Sequence, residues 1–151
     1  TARTASCQGD RWGFVVVVGV SPRSRATNRV IELAKGSTTR PDPGELDVVA
    51  APGERVTIGL LAMALMDLGL KARSYTGSQV RVLTDGAHNK ARILEIDQSN
   101  IRRDLKEGYV AVVAGFQGVD SEGNVTTLGR GGSETSGGAF AAARTAAECK
   151  I

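Results

Sequence analysis

Aromatic side chains are scarce in this sequence: three Phe, two Tyr and one Trp, 4% of the chain. Surfaces that hold single-stranded nucleic acid interleave aromatics with lysines and arginines. No such run occurs, and the net charge is only +3, so nucleic-acid binding is not expected. Cysteine is nearly missing too. Cys7 and Cys149 make no disulfide framework, which points to a reducing cytoplasm and two free thiols. Long apolar runs are lacking: Phe14 to Val18, like every other uninterrupted apolar run, falls far short of the ~20 residues of a membrane span. No segment reads as transmembrane, and no membrane partner is expected. His88 is the only histidine, and without a second one or a cysteine cluster a metal site on it is improbable. Thr1 to Trp12 lacks both a signal-peptide pattern and an initiator methionine. A processed, tagged or truncated start is the expectation.

What is present fits one soluble globular domain: 151 residues, 41% hydrophobic and 23% charged. Gly13 to Val18 is a short β-branched run suited to a strand buried on both faces, hence a central parallel strand. A helix is expected from about Thr27 to Lys35, stopped by Gly36. Ser37 to Gly44, with Pro41 and Pro43, should be a surface connection. The longest helix should run from Gly53 to Leu68, its apolar positions so widely spread that packing on two sides is expected. Short strands follow at Lys71 to Tyr75, Val80 to Leu83 and Ala91 to Ile96, the last two as a hairpin-like excursion. A helix from Ser99 to Lys106 and a strand from Tyr109 to Ala114 complete the alternation. The pattern argues for a three-layer α/β/α sandwich with a mainly parallel sheet.

The densest chemistry lies in Thr126-Thr127-Leu128-Gly129-Arg130-Gly131-Gly132-Ser133, running into a helix expected over Thr135 to Glu148. Glycines let the backbone approach a ligand closely. Free N–H groups of such a loop and of the helix start attract anions, and Arg130 adds a planar fork of donors suited to a carboxylate or phosphate.

Val113-Ala114-Gly115-Phe116-Gln117-Gly118, followed by Thr126 through Ser133, resembles the aspartate kinases of the amino-acid kinase family. Glu45-Leu46-Asp47, Gly53-Glu54-Arg55-Val56, Tyr75-Thr76-Gly77-Ser78-Gln79 and Thr84-Asp85 through His88, Lys90 and Ala91 match the same family in the same order. The resemblance implies an amino-acid kinase fold and ATP-dependent phosphorylation of the L-aspartate side-chain carboxylate to 4-phospho-L-aspartate, in lysine, threonine and methionine biosynthesis. It implies ATP with Mg2+ as cofactors. It also implies L-aspartate as substrate, and a homo-oligomer or a complementing chain as partner.

By the same resemblance Arg130 pairs with the substrate α-carboxylate and Glu54 receives its amino group. Gly131, Gly132 and Ser133 line the substrate end of the loop. Thr27 reaches the substrate, although upstream of it Gly19 replaces a family serine. Glu134 stands where the family has aspartate, and is equally well read as an acid favoured by a helix N-terminus. The family's Lys-x-Gly-Gly-Thr-Ser strand has no counterpart in Thr1 to Trp12. Residues 1–12 are therefore read as an unmatched segment and 13–151 as a partial catalytic domain, incomplete or inactive alone, with no regulatory ACT domain and no assignable nucleotide-binding residues. The alternative is a noncatalytic amino-acid-binding or assembly module derived from an aspartate kinase.

Overall fold

The computed structural model describes residues 2–9, 13–20, 25–129, 131–144 and 148–150. For residues 2–9, 20, 25–27, 144, 148 and 150 it describes the backbone alone.

A five-stranded sheet carries the core. Its order is β3 (Ala72–Tyr75), β6 (Val110–Ala114), β2 (Gly13–Val20), β1 (Ala2–Gly9) and β9 (Glu148–Lys150). β3, β6 and β2 are mutually parallel, and β1 and β9 add antiparallel pairs at one edge. The valine run of β2 is thus central, as a strand apolar on both faces must be. Alternation then assigns each side chain to a layer. Val18, Val112 and Ala114 meet Ile58 and Ala62 of α3 (Pro52–Asp67) on one face. Val15, Val17, Ala111 and Val113 meet Phe140 of α5 (Gly132–Arg144), with Ile101 and Leu105 of α4 (Ser99–Lys106), on the other. The three layers expected from the sequence are present.

A second, four-stranded sheet has the order β5 (Ile93–Ile96), β4 (Val82–Thr84), β7 (Gln117–Val119) and β8 (Val125–Thr127). β4 and β5 form the antiparallel excursion, and β7 and β8 are joined by the turn at Asp120. Five elements escaped the sequence reading: β1, β7, β8, β9 and a short helix, α2 (Pro43–Ala50). β1 is polar and small in its side chains, with no apolar alternation to mark it. α2 begins inside the proline-bearing connection, because Asp42 caps it by accepting from the N–H groups of Gly44 and Glu45. Proline in the first helical turn suits a helix start rather than a loop. α1 spans Arg25–Ser37, running through Gly36.

α3 packs on one side only. Ile58 and Ala62 are buried, whereas Val56, Leu60 and Met63 are each about 60% exposed, so the expected second packing face is not covered by the described residues. By length and composition alone Pro43–Asp67 would suffice to cross a membrane. It is broken at Ala51 into α2 and α3, and Asp47 and Glu54 are buried within it. Counting uninterrupted apolar residues did not flag this stretch.

Candidate functional site

The two central parallel strands β2 and β6 end beside each other, where the Gly115 N–H donates to the Val18 carbonyl at 2.8 Å. Ser133, in the first turn of α5, sits directly over these ends. A Cβ built on Gly19 would lie 1.9 Å from Ser133 Oγ and 2.2 Å from its Cβ, and one on Gly115 would lie 3.3 Å from Ser133 Cα. Glycine at position 19, where the resembled family has serine, is therefore what lets α5 approach. A ligand beyond the carboxyl ends of such strands meets a helix N-terminus and its free N–H groups.

The loop leading to α5 is strapped to the turn after β6. Phe116 adopts a left-handed φ of 67°, donates its N–H to Ser136 Oγ at 3.1 Å and accepts from the Leu128 N–H at 2.9 Å. The Ser136 hydroxyl donates to the Gly132 carbonyl at 2.8 Å. Gly132 lies against Phe116 and Leu128, and a side chain there would come within 3.0 Å of both. α5 consequently starts at Gly132 rather than Thr135, and Gly132 and Ser133 become part of its anion-attracting end. Gly131 is exposed with a φ of 76°. Arg130 lies outside the described residues, and Thr27 is described only as backbone within α1. Glu134 is exposed in the first turn of α5.

Glu54 is 4% exposed in the first turn of α3. Helix N-termini favour acids, by ~0.3–1 kcal/mol at the surface and more when partly buried. Gln117, 2% exposed, fixes this helix end: its Nε2 donates to the Ala51 carbonyl at 3.1 Å and its Oε1 accepts from Arg55 Nε at 3.3 Å. The start of α3 and the Phe116 turn are thus tied through one side chain. Sequence reasoning quoted Gln117 only as part of a motif.

Asp47, fully buried, is a further missed residue. Its carboxylate accepts from Thr127 Oγ1 at 2.5 Å, from the Asn89 N–H at 3.1 Å and pairs with His88 Nδ1 at 2.9 Å. The Ala91 N–H also donates to the Thr127 carbonyl at 2.9 Å. These bonds fasten α2 and the 88–91 loop to the residue just before the glycine loop. An acid in the otherwise apolar Leu46-Asp47-Val48-Val49 was the available signal.

Asp104 is a buried acid on α4, away from these strand ends. Burial pushes its carboxyl pKa up, but hydrogen bonds from Tyr75, Arg103 and Arg73 outweigh it and hold the value below the ordinary carboxylate range. Burial and the same carboxylate push the Tyr75 phenol up to about 12. Among the described residues no three His, Cys, Asp or Glu side chains are grouped to hold a metal ion.

Fold and packing together define an α/β protein in which the first turn of a helix, reached through a glycine loop, is seated over the ends of the central parallel strands. The chain belongs to the amino acid kinase family, which it matches over residues 5–151. It is 62% identical over 139 residues to an aspartate kinase of Pseudomonas putida, covering 92% of this chain and 34% of that protein. The chain thus spans about a third of the length of such curated relatives. Among solved structures it resembles E. coli aspartokinase III in complex with aspartate and ADP, with a TM-score of 0.69 and 25% identity over 80% of this chain and 28% of that one. It also resembles aspartate kinase from Synechocystis, with a TM-score of 0.67 and 41% identity over 87% of this chain and 21% of that one.

Proposed function

We propose that this chain is the aspartate-holding portion of an aspartate kinase, which phosphorylates the side-chain carboxylate of L-aspartate at the expense of ATP. The observation that carries the reading is the seating of Ser133 over the ends of β2 and β6, with Gly132 packed against Phe116 and Leu128 beside it. The substrate carboxylate is already ionised at neutral pH, so the reaction calls for alignment and charge screening rather than a base. Gly131 and Ser133 would present N–H groups to an anionic end of aspartate, and Gly132, whose own N–H donates to the Gly129 carbonyl at 3.1 Å, would shape the loop between them. Arg130 would pair with its α-carboxylate, Glu54 would take its ammonium group, and Thr27 and Glu134 would line the remaining side. The transferred phosphoryl group and magnesium would arrive together on the nucleotide, as in other phosphoryl transfers. We place the protein in the cytoplasm, in amino-acid biosynthesis, with a second copy or a complementing chain as partner.

Isothermal titration of the chain with L-aspartate tests the reading. Saturable binding is expected, weakened about tenfold or more by Glu54→Gln and by Arg130→Ala, in line with loss of a charge-assisted contact. Hydroxylamine trapping of acyl phosphate with ATP and magnesium is expected to give no product from these residues alone. Absence of aspartate binding would remove the proposed role and favour an assembly module.

A further inference from the structure

Gln117 stands between the two stretches assigned to aspartate and is joined to both. Its backbone belongs to the loop side. It opens β7 and pairs in register with Thr127 of β8, which leads into the glycine loop. Its neighbour Phe116 is bonded to Ser136 of α5 and to Leu128. The packing holds this backbone in place: a Cβ on Gly77 would lie 2.6 Å from the Gln117 carbonyl oxygen, and one on Gly118 would lie 2.5 Å from the Val82 carbonyl oxygen.

The side chain belongs to the helix side. Its Nε2 donates to the Ala51 carbonyl at 3.1 Å, and its Oε1 accepts from Arg55 Nε at 3.3 Å. Ala51 is the N-cap position of α3 and supplies no side-chain cap, so this helix start is fixed from outside. Residues 51 and 55 are about one turn apart, and Glu54 lies inside the turn that is gripped at both ends. Reversing the amide would set two acceptors against each other at Ala51 and two donors at Arg55. With Gln117 only 2% exposed, such a mismatch is costly. The amide therefore has one orientation, and the start of α3 has one place relative to β7.

We infer that Gln117 is a positioning residue that sets the place of Glu54 relative to the glycine loop, and so selects a ligand whose ammonium group and carboxylate are spaced as in an α-amino acid. The inference rests on the reading of Glu54 and the loop as the groups that hold aspartate. Gln117 acts through Glu54 and touches no ligand itself. Its backbone registers the carboxylate-holding side, and its amide registers the ammonium-holding side.

Isothermal titration with L-aspartate over a double-mutant cycle tests this role, using the parent chain, Gln117→Met, Glu54→Gln and the two combined. Gln117→Met keeps the side-chain length and removes both amide groups. Alone it should weaken binding about tenfold, as for loss of one charge-assisted contact. In the Glu54→Gln background it should cost less than about twofold, because the residue it positions is already disabled. A merely structural residue would cost the same in both backgrounds, so equal losses overturn the proposal. A Gln117→Met chain that binds as the parent does overturns it too. Arg55→Leu alters an exposed side chain and frees Oε1 without touching the buried residue. It should weaken binding about threefold, which decides the matter even where Gln117→Met does not fold: affinity equal to the parent's overturns the proposal. A parent chain that binds no L-aspartate removes the reading of the site and this role with it, whereas a parent that binds, with equal losses in both backgrounds, removes the role of Gln117 alone.

Discussion

Tyr75, Arg73 and Asp104 show how a few side chains couple a strand to a helix. Asp104 is fully buried on α4, and Tyr75 and Arg73 reach it from β3, Arg73 at 2.5 Å. Arg73 also lies 4.5 Å over the ring of Tyr109, so one guanidinium serves both an anion and an aromatic face. The titration follows from the geometry. The folded Tyr75 pKa, about 12, is above its ordinary value of 10.0, so the folded state holds a proton that the unfolded chain releases. The associated stability is intact below pH ~10 and declines as the pH rises through the folded value. Asp104 works in the opposite sense: its lowered pKa gives stability that is present above the unfolded value of ~3.9 and is lost as the pH falls below it. Absorbance at 295 nm should show a phenolic titration near 12 that vanishes in Tyr75→Phe. No such high titration in the parent chain would contradict the assigned contact.

At the scale of elements, the most demanding contact is that between the end of β2 and the first turn of α5. Gly19→Ala would place a methyl group within 2.2 Å of Ser133 Cβ, which rotation of the hydroxyl cannot relieve. Either α5 or the strand end must shift, at a cost of roughly 1–3 kcal/mol as for other overpacked sites. Ser133→Gly removes the obstacle, so the double variant should recover most of that stability. A urea-denaturation cycle should therefore give a strong favourable coupling between the two substitutions, and simple additivity would mean that the two residues are not in contact. This contact also shows what the sequence could and could not say. The valines of β2 and β6 and the helical period of α4 marked their own elements, because burial on a regular face imposes a period. Ser99–Lys106 was legible to the residue. Ser133 and Glu54 were singled out through motifs. That Gly19 must be glycine because of a residue more than a hundred positions away was not legible, and neither was the clamp of Gln117 on Ala51. Both depend on which chain ends the fold brings together. β1 was missed for a related reason: small polar side chains pair through their backbone and leave no period to read.

On the scale of the whole molecule, the two sheets divide the work. The five-stranded sheet supplies the rigid parallel strands. The four-stranded sheet carries β8 into the glycine loop, where Thr127 is fastened by Asp47. What the fold leaves unfinished is the outer side of α3. Val56, Leu60 and Met63 recur at one face of that helix, and Met66, Leu68 and Leu70 continue the apolar surface beyond it, all roughly half exposed or more. Scattered apolar residues on a surface need no explanation, but a contiguous group of this extent marks a contact surface. Self-association through α3 is the expected use, in keeping with the proposed homo-oligomer. Sedimentation velocity over a range of concentrations should show a monomer converting to a larger species. Leu60→Glu combined with Met63→Lys should hold the chain monomeric while changing its folding stability by no more than about 0.5 kcal/mol per site, because both side chains are exposed within the single chain. An unaltered association in that double variant would move the interface away from α3. A parent chain that is monomeric at every concentration would leave this face to be covered by a different chain.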